Sequence, residues 1–184
     1  MNETSDFRSY LERLVHDIPL DLYIGAAIVL CIGLLFLIKW KGIKDSSRFI
    51  ALLAFTEYVA LIFCSTVLFR AASDVRKYNF HPFWSYNEPS LFVENVMNVV
   101  VFVPVGMLLG ITFKDIRWWQ ALLTGVCLSV SIEILQFIFK KGFSELDDVM
   151  HNTLGCMIGF GLYSLARYVY ERIGKRSVNF LVET

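Results

Sequence analysis

The stretch that decides the fold is residues 93–139, in which two long apolar runs flank a short charged turn. Residues 93–113 read VENVMNVVVFVPVGMLLGITF, and residues 118–139 read WWQALLTGVCLSVSIEILQFIF. Each run supplies the roughly 20 residues that an α-helix needs to cross a hydrocarbon core of about 30 Å. The sequence therefore predicts two membrane-spanning helices, joined by a turn that carries Lys114 and Arg117.

The rest of the chain repeats this pattern. The five predicted spans are approximately residues 20–38, 49–69, 93–113, 118–139 and 149–170. Of the 184 residues, 56% are hydrophobic and 18% are charged, whereas a soluble domain carries about 25% charged residues. We predict an all-α fold, a polytopic membrane bundle of about five transmembrane helices that forms a single domain over residues 1–184. The formal net charge is zero, which gives no reason to expect nucleic acid as a partner.

Residues 1–19 predict an amphipathic helix ahead of the first span. Its apolar residues recur at helical spacing, at Phe7, Tyr10, Leu11, Leu14 and Val15. Such a helix lies in the membrane interface or, alternatively, packs on the rim of the bundle.

The basic residues predict the orientation. Ten lysines and arginines fall in the loop after the first span, the turn between the third and fourth, and the C-terminal end, against seven on the other side. Since cytoplasmic loops are enriched in Lys and Arg, we expect the N-terminus outside and the C-terminus in the cytoplasm.

Polar side chains interrupt the apolar runs at helical spacing. They are Asn98, Glu133, Gln136, Glu145, Asp148 and Asn152. A carboxylate at the bilayer centre costs about 2.5 kcal/mol or more, so such residues usually face the interior of a bundle and serve a function there. The predicted topology puts all six near the outer headgroups. We expect Glu133 to be the most buried carboxylate and Glu145, on the loop, to be wetter.

Four motifs carry a resemblance to a known family. Asn98-Val-Val-Val-Phe102-Val-Pro104-Val-Gly106 is similar to the N-x3-F-x-P-x-G signature of VanZ-like proteins, and Glu133-Ile-Leu-Gln136 to their E-x-x-Q. Residues 145–148 and 152–155 resemble the family's acidic stretch and its N-T-x-G, and residues 79–83 resemble N-L-x-P-F. The resemblance covers about residues 58–168.

The resemblance implies a multi-pass protein of the bacterial inner membrane. The family takes its name from a member linked to resistance to teicoplanin, a glycopeptide that acts on the cell wall. The ligand-binding residues that we predict are Asn98, Phe102, Pro104, Glu133, Gln136, Glu145, Asp148 and Asn152. Family members often carry an arginine just before the acidic stretch, where this chain has Lys140 and Lys141. Lysine lacks the planar fork with which arginine binds carboxylate or phosphate.

Three kinds of function are compatible with these residues. In the first, the polar cluster binds a lipid headgroup, a lipid-linked cell-wall precursor or a lipoglycopeptide antibiotic, and aromatic side chains pack on its apolar part. In the second, Glu133 and Asp148 act as acid and base in an intramembrane enzyme. In the third, the polar groups only hold helices together or bind a partner protein. No cofactor is expected. The oxygen ligands of Glu133, Glu145 and Asp148 are compatible with a divalent metal, although no D-x-D or H-x-x-E-H pattern supports one.

Overall fold

The computed structural model describes residues 46–113 and 115–182, with side chains for residues 48–113 and 115–173. The helices and strands of this part are α1 (Ser46–Phe63), β1 (Lys77–Asn79), α2 (Phe92–Thr112), α3 (Trp118–Phe139), β2 (Phe143–Glu145) and α4 (Leu146–Val182). A π-helical segment, Cys64–Leu68, extends α1, and two short 3₁₀ turns, Trp84–Asn87 and Pro89–Leu91, lead into α2.

Three helical segments are long and apolar enough to cross a membrane: Arg48–Leu68, Pro89–Thr112 and Trp118–Phe139. They confirm the predicted second, third and fourth spans. The predicted fifth span lies within α4, which is not among these three segments. The predicted first span and the amphipathic helix lie outside the described residues.

One face of the apolar helix α3 carries buried polar residues. In α3 the side chains of Ser129, Glu133 and Gln136 are buried, whereas Ile134 and Ile138 on the opposite face are more than half exposed. In a membrane, lipid covers the exposed apolar face of such a helix, and the polar groups face the interior of the bundle. The polar stripe of α3 therefore faces the other helices.

Close contact between α2 and α4 forms the centre of the bundle. A Cβ atom built on Gly155 or Gly159 of α4 would overlap the carbonyl groups of Val99 and Val103 of α2. Small residues of this kind let two membrane helices approach until their backbones touch. The buried apolar core lies beside this contact and consists of Ile62, Val67, Phe102, Val105, Ile132 and Cys156.

One short sheet departs from the predicted all-α fold. Strands β1 and β2 pair in parallel, with Tyr78 opposite Ser144 and Asn79 opposite Glu145. The pairing fastens the loop between α1 and α2 to the junction between α3 and α4. Three residues per strand give too little alternation for the sequence to reveal it.

Candidate functional site

Four carboxylates from four elements meet at the end of the bundle where this sheet lies. We call Glu94 of α2, Glu133 of α3, Glu145 of β2 and Asp148 of α4 the acidic cluster. The charge of Asp148 acts on Glu133 and Glu145. The charge of Glu94 acts on Glu145 and Asp148. Glu133 and Glu145 are 7% and 8% exposed, so their charges are largely removed from water.

Hydrogen bonds fix two members of the acidic cluster. Asn98 donates from Nδ2 to Oδ1 of Asp148 over 2.7 Å, which joins α2 to α4. The backbone N–H of Glu145 donates to Oε2 of Glu133 over 2.9 Å, which joins β2 to α3. The structure therefore brings Asn98, Glu133, Glu145 and Asp148 to one place.

Two predicted site residues bond elsewhere. Gln136 donates from Nε2 to the carbonyl oxygen of Thr66 over 3.2 Å, and its buried Oε1 has no hydrogen-bond partner. Asn152 donates from Nδ2 to Oγ of Ser129 over 2.8 Å, between α4 and α3. These amides stabilise helix contacts next to the cluster, and Oε1 of Gln136 keeps a free acceptor.

The remaining two predicted site residues lie away from the polar groups. Phe102 is 2% exposed and belongs to the apolar core. Pro104 lies inside α2, which continues past it to Thr112. Their place in the structure is a packing position, one to two turns from Asn98 along α2.

The environment of the cluster favours protonated carboxyl groups. Burial, followed by the charges of Asp148 and Glu94, raises the pKa of Glu145 to about 7. Burial, followed by the charge of Glu94, raises the pKa of Asp148 to about 6, although Arg70 acts against this shift. Like charges at short range cannot all ionise at once, so the cluster holds protons near neutral pH.

Asp147, rather than Glu133, is the most buried carboxylate among the described residues, with 0% exposure. Its two carboxylate oxygens accept hydrogen bonds from the backbone N–H groups of Phe83 and Ser85 and from Oγ of Ser85. Burial alone would raise the pKa of Asp147, but these hydrogen bonds lower it overall. The prediction about Glu133 was wrong because the sequence did not show that a distant loop supplies donors to Asp147. The expectation that Glu145 is wetter also fails, because its exposure nearly equals that of Glu133.

Aromatic side chains of the loop that Asp147 anchors surround this end of the bundle. Phe80, Phe83 and Tyr86 are each more than half exposed. Trp84 contacts the ring of Phe143 edge-on at 5.6 Å, and its buried indole N–H has no hydrogen-bond partner, although it lies near Glu145. The hydroxyl of Tyr86 is 2.9 Å from Nε2 of His151. The site thus combines carboxylates with apolar rings.

Two residues that the sequence did not single out belong to this site. Glu94 lies on α2, one turn before Asn98, and its spacing of four residues was a usable signal. Arg70 comes from the segment after α1, and its guanidinium lies against the backbone of Gly142. No local spacing connects Arg70 to the acidic stretch, so only the tertiary structure reveals it.

Lys140 and Lys141, which precede the acidic stretch, have structural contacts. Nζ of Lys140 donates to the carbonyl oxygen of Asp74 over 3.3 Å, and Nζ of Lys141 donates to that of Leu68 over 2.6 Å. Both hold the Arg70 segment in place.

The acidic cluster is not arranged as a metal site. Within the part of the chain that the structure describes, no group of three or more His, Cys, Asp or Glu residues is arranged to hold a metal ion. A cavity of about 290 Å³ lies at the other end of α4, with Tyr163, Arg167 and Tyr168 among its lining residues.

Three apolar helices of membrane-spanning length, with an acidic cluster at one end, define this chain as a helical membrane protein. The family model VanZ/LLP1 matches residues 28–167, and the chain therefore belongs to the VanZ/LLP1 family. Protein VanZ of Enterococcus faecium is 35% identical over 100 residues, which cover 49% of this chain and 62% of that protein. The resemblance read from the motifs is thus confirmed. No solved structure matches the chain.

Proposed function

We propose that this chain binds the polar headgroup of an amphiphilic cell-envelope molecule at the extracytoplasmic leaflet and thereby contributes to teicoplanin resistance. The observation that carries the proposal is the acidic cluster, in which carboxylates of α2, α3, β2 and α4 interact beneath an aromatic loop. Two of them, Glu133 and Glu145, are buried. Buried carboxyl groups, whether charged or protonated, are costly unless they have hydrogen-bond partners. A headgroup rich in hydroxyl, amide or ammonium donors would supply the missing partners.

The aromatic loop supports an amphiphile over a free polar molecule. Exposed rings at Phe80, Phe83 and Tyr86 adjoin the cluster, and aromatic side chains favour the membrane interface, where one end is apolar and the other wet. An acyl chain or the apolar face of a sugar can pack on these rings while the donors reach Glu145 and Asp148. The lipoglycopeptide teicoplanin and lipid-linked cell-wall precursors are both amphiphiles that combine an apolar part with a polar headgroup.

An enzymatic role is the second candidate, and the proton affinity of the cluster favours it. Glu145 and Asp148 have pKa values of about 7 and about 6, which suit proton transfer near neutral pH. In this reading Glu133 and Asp148 serve as acid and base on a lipid-linked substrate. A third reading assigns the polar groups to helix packing alone, as the Asn152–Ser129 bond illustrates.

The deciding experiment separates function from stability. Glu133→Gln and Asp148→Asn are expressed in a teicoplanin-susceptible bacterium, with Glu57→Gln as the matched control, because Glu57 is equally buried but lies on α1 outside the cluster. We expect both cluster variants to lose protection against teicoplanin at unchanged membrane abundance, while the control retains it. Protection that falls only in proportion to abundance, for all three variants, would assign the cluster to packing. Loss of protection with retained ligand binding would favour catalysis.

A further inference from the structure

Five cations gather at the end of the bundle that holds the acidic cluster. They are Arg70, Arg76, Lys77, Lys140 and Lys141. The segments that carry them are joined by a hydrogen bond from the N–H of Ser73 to the carbonyl oxygen of Lys140 over 2.7 Å and by the pairing of Lys77 with Phe143. Both signs of charge therefore lie side by side at this end.

Arg70 is held at the boundary between the two charges. A Cβ atom at Gly142 would lie 2.6 Å from Cζ of Arg70, so the guanidinium occupies the space that a side chain would fill. Gly142 has φ +90°, a conformation that glycine adopts far more readily than other residues. This turn thus leaves a flat backbone surface on which the guanidinium rests.

The guanidinium donors of Arg70 have no acceptor among the residues whose side chains the structure describes. Among residues 48–113 and 115–173, Arg70 forms no hydrogen bond and no ion pair, although Asp148 lies near enough to feel its charge. By contrast, the Lys140 and Lys141 ammonium groups donate to backbone carbonyls. The guanidinium of Arg76 also has no acceptor among the described side chains, but it lies over the ring of Phe137, 5.6 Å from the ring centroid. The Arg70 side chain is exposed, so a ligand can reach its donors.

We propose that Arg70 binds a phosphate group, and that the ligand of this site is an amphiphile whose headgroup carries a phosphate next to hydroxyl or ammonium groups. The inference rests on the proposed function and specifies its ligand. The planar guanidinium fork matches two phosphate oxygens. The hydroxyl or ammonium groups would meet the carboxylates of Glu145 and Asp148. Lys140 and Lys141, which hold the Arg70 segment, would offset the repulsion between phosphate and the acidic cluster.

The test compares two probes that differ only in the phosphate-bearing part. Full-length protein in a non-ionic detergent is titrated with dioctanoyl phosphatidylglycerol and with dioctanoylglycerol. We expect Arg70→Gln to weaken binding of the phosphate-bearing probe by about tenfold or more and to leave binding of the neutral probe unchanged. Arg76→Gln, which removes the same charge nearby, should change neither by more than about twofold.

Controls keep the outcome interpretable. Arg70→Lys retains the charge but not the fork, and an intermediate loss of affinity for the phosphate-bearing probe supports bidentate binding. The melting temperatures of all variants show whether each one folds. If Arg70→Gln does not fold, Arg70→Lys is compared with the parent protein instead.

Two results would overturn the inference. If Arg70→Gln and Arg76→Gln lower the affinity for the phosphate-bearing probe equally, the lipid binds to the overall positive charge of this end and not to Arg70 in particular. If Arg70→Gln lowers the affinity for both probes equally, Arg70 serves only as a counter-charge to Asp148. The proposed function fails separately: if Glu145→Gln and Asp148→Asn leave binding of both probes unchanged, the acidic cluster is not part of the ligand site, whatever Arg70 does.

Discussion

At the scale of single residues, the acidic cluster shows how neighbours change the chemistry of a side chain. Asp147 and Asp148 are adjacent in the sequence, yet hydrogen bonds from the loop lower the pKa of Asp147, whereas burial and Glu94 raise that of Asp148. One carboxylate is thereby suited to anchoring a loop and the other to exchanging a proton. The difference arises from residues 83–85 and 94, which are distant in sequence.

The raised pKa values predict a pH dependence of stability. The pKa of Glu145 rises from 4.5 to about 7, and the pKa of Asp148 rises from 3.8 to about 6. The folded state therefore keeps protons that the unfolded chain releases, so the stability is fully present below the unfolded pKa values and is lost as pH rises through the folded ones. The melting temperature in detergent should be higher at pH 5 than at pH 8, with the decrease centred between about pH 5 and 7.

The same prediction has matched variants. Glu145→Gln cannot ionise, so its melting temperature should fall less across this interval, whereas Asp115→Asn, at an exposed turn, should follow the parent protein. A parent melting temperature that is flat or rises between pH 5 and 8 would contradict the electrostatic description of the cluster, which includes Glu94, Glu133, Asp147 and Arg70.

At the scale of helices, the packing of α2 against α4 gives a sharp comparison between two glycines of one helix. A Cβ atom on Gly159 would overlap the backbone of Val103, whereas one on Gly161 meets nothing within 4 Å. Gly161→Ala should stabilise the protein by up to about 1 kcal/mol, because alanine favours a helix. Gly159→Ala should destabilise it by about 1–3 kcal/mol, the usual cost of overpacking. Thermal unfolding of the two variants side by side measures the difference, and equal melting temperatures would refute the close helix contact.

The helices also show what a sequence can and cannot predict. Span positions follow from hydropathy, a local property, and three of them were predicted to within a few residues. The inward orientation of Glu133 and Gln136 followed from helical periodicity and the cost of polar groups in lipid. The β1–β2 pair, the bond between Asp147 and Ser85, and the position of Arg70 depend on contacts between distant segments. No local pattern encodes these contacts, so the site was only partly predicted: Asn98, Glu133, Glu145 and Asp148 were found, whereas Glu94, Arg70 and the anchoring of the loop by Asp147 were not.

At the scale of the whole molecule, the two ends of the bundle differ in chemistry. One end combines the acidic cluster, the aromatic loop and Arg70, while the other holds the charged turn before α3 and the cavity beside Arg167. Residues 80 and 115 lie before and after α2, a helix of membrane-spanning length. They must therefore lie on opposite sides of the membrane if α2 crosses it, which makes the orientation measurable with two positions.

The predicted orientation places the acidic cluster outside the cell. In a cysteine-free background, Phe80→Cys and Asp115→Cys each introduce a single thiol at a position that is exposed in the structure. A membrane-impermeant maleimide should label the thiol at position 80 in intact cells, and the thiol at position 115 only after the membrane is permeabilised. The physical reason is the bias of lysine and arginine toward the other face, which is ten against seven over the whole chain. The opposite pattern would move the cluster to the cytoplasmic leaflet and refute contact with an extracellular antibiotic, but a phosphate-bearing lipid of the inner leaflet would still fit Arg70. Labelling of both positions in intact cells would show that α2 does not cross the membrane.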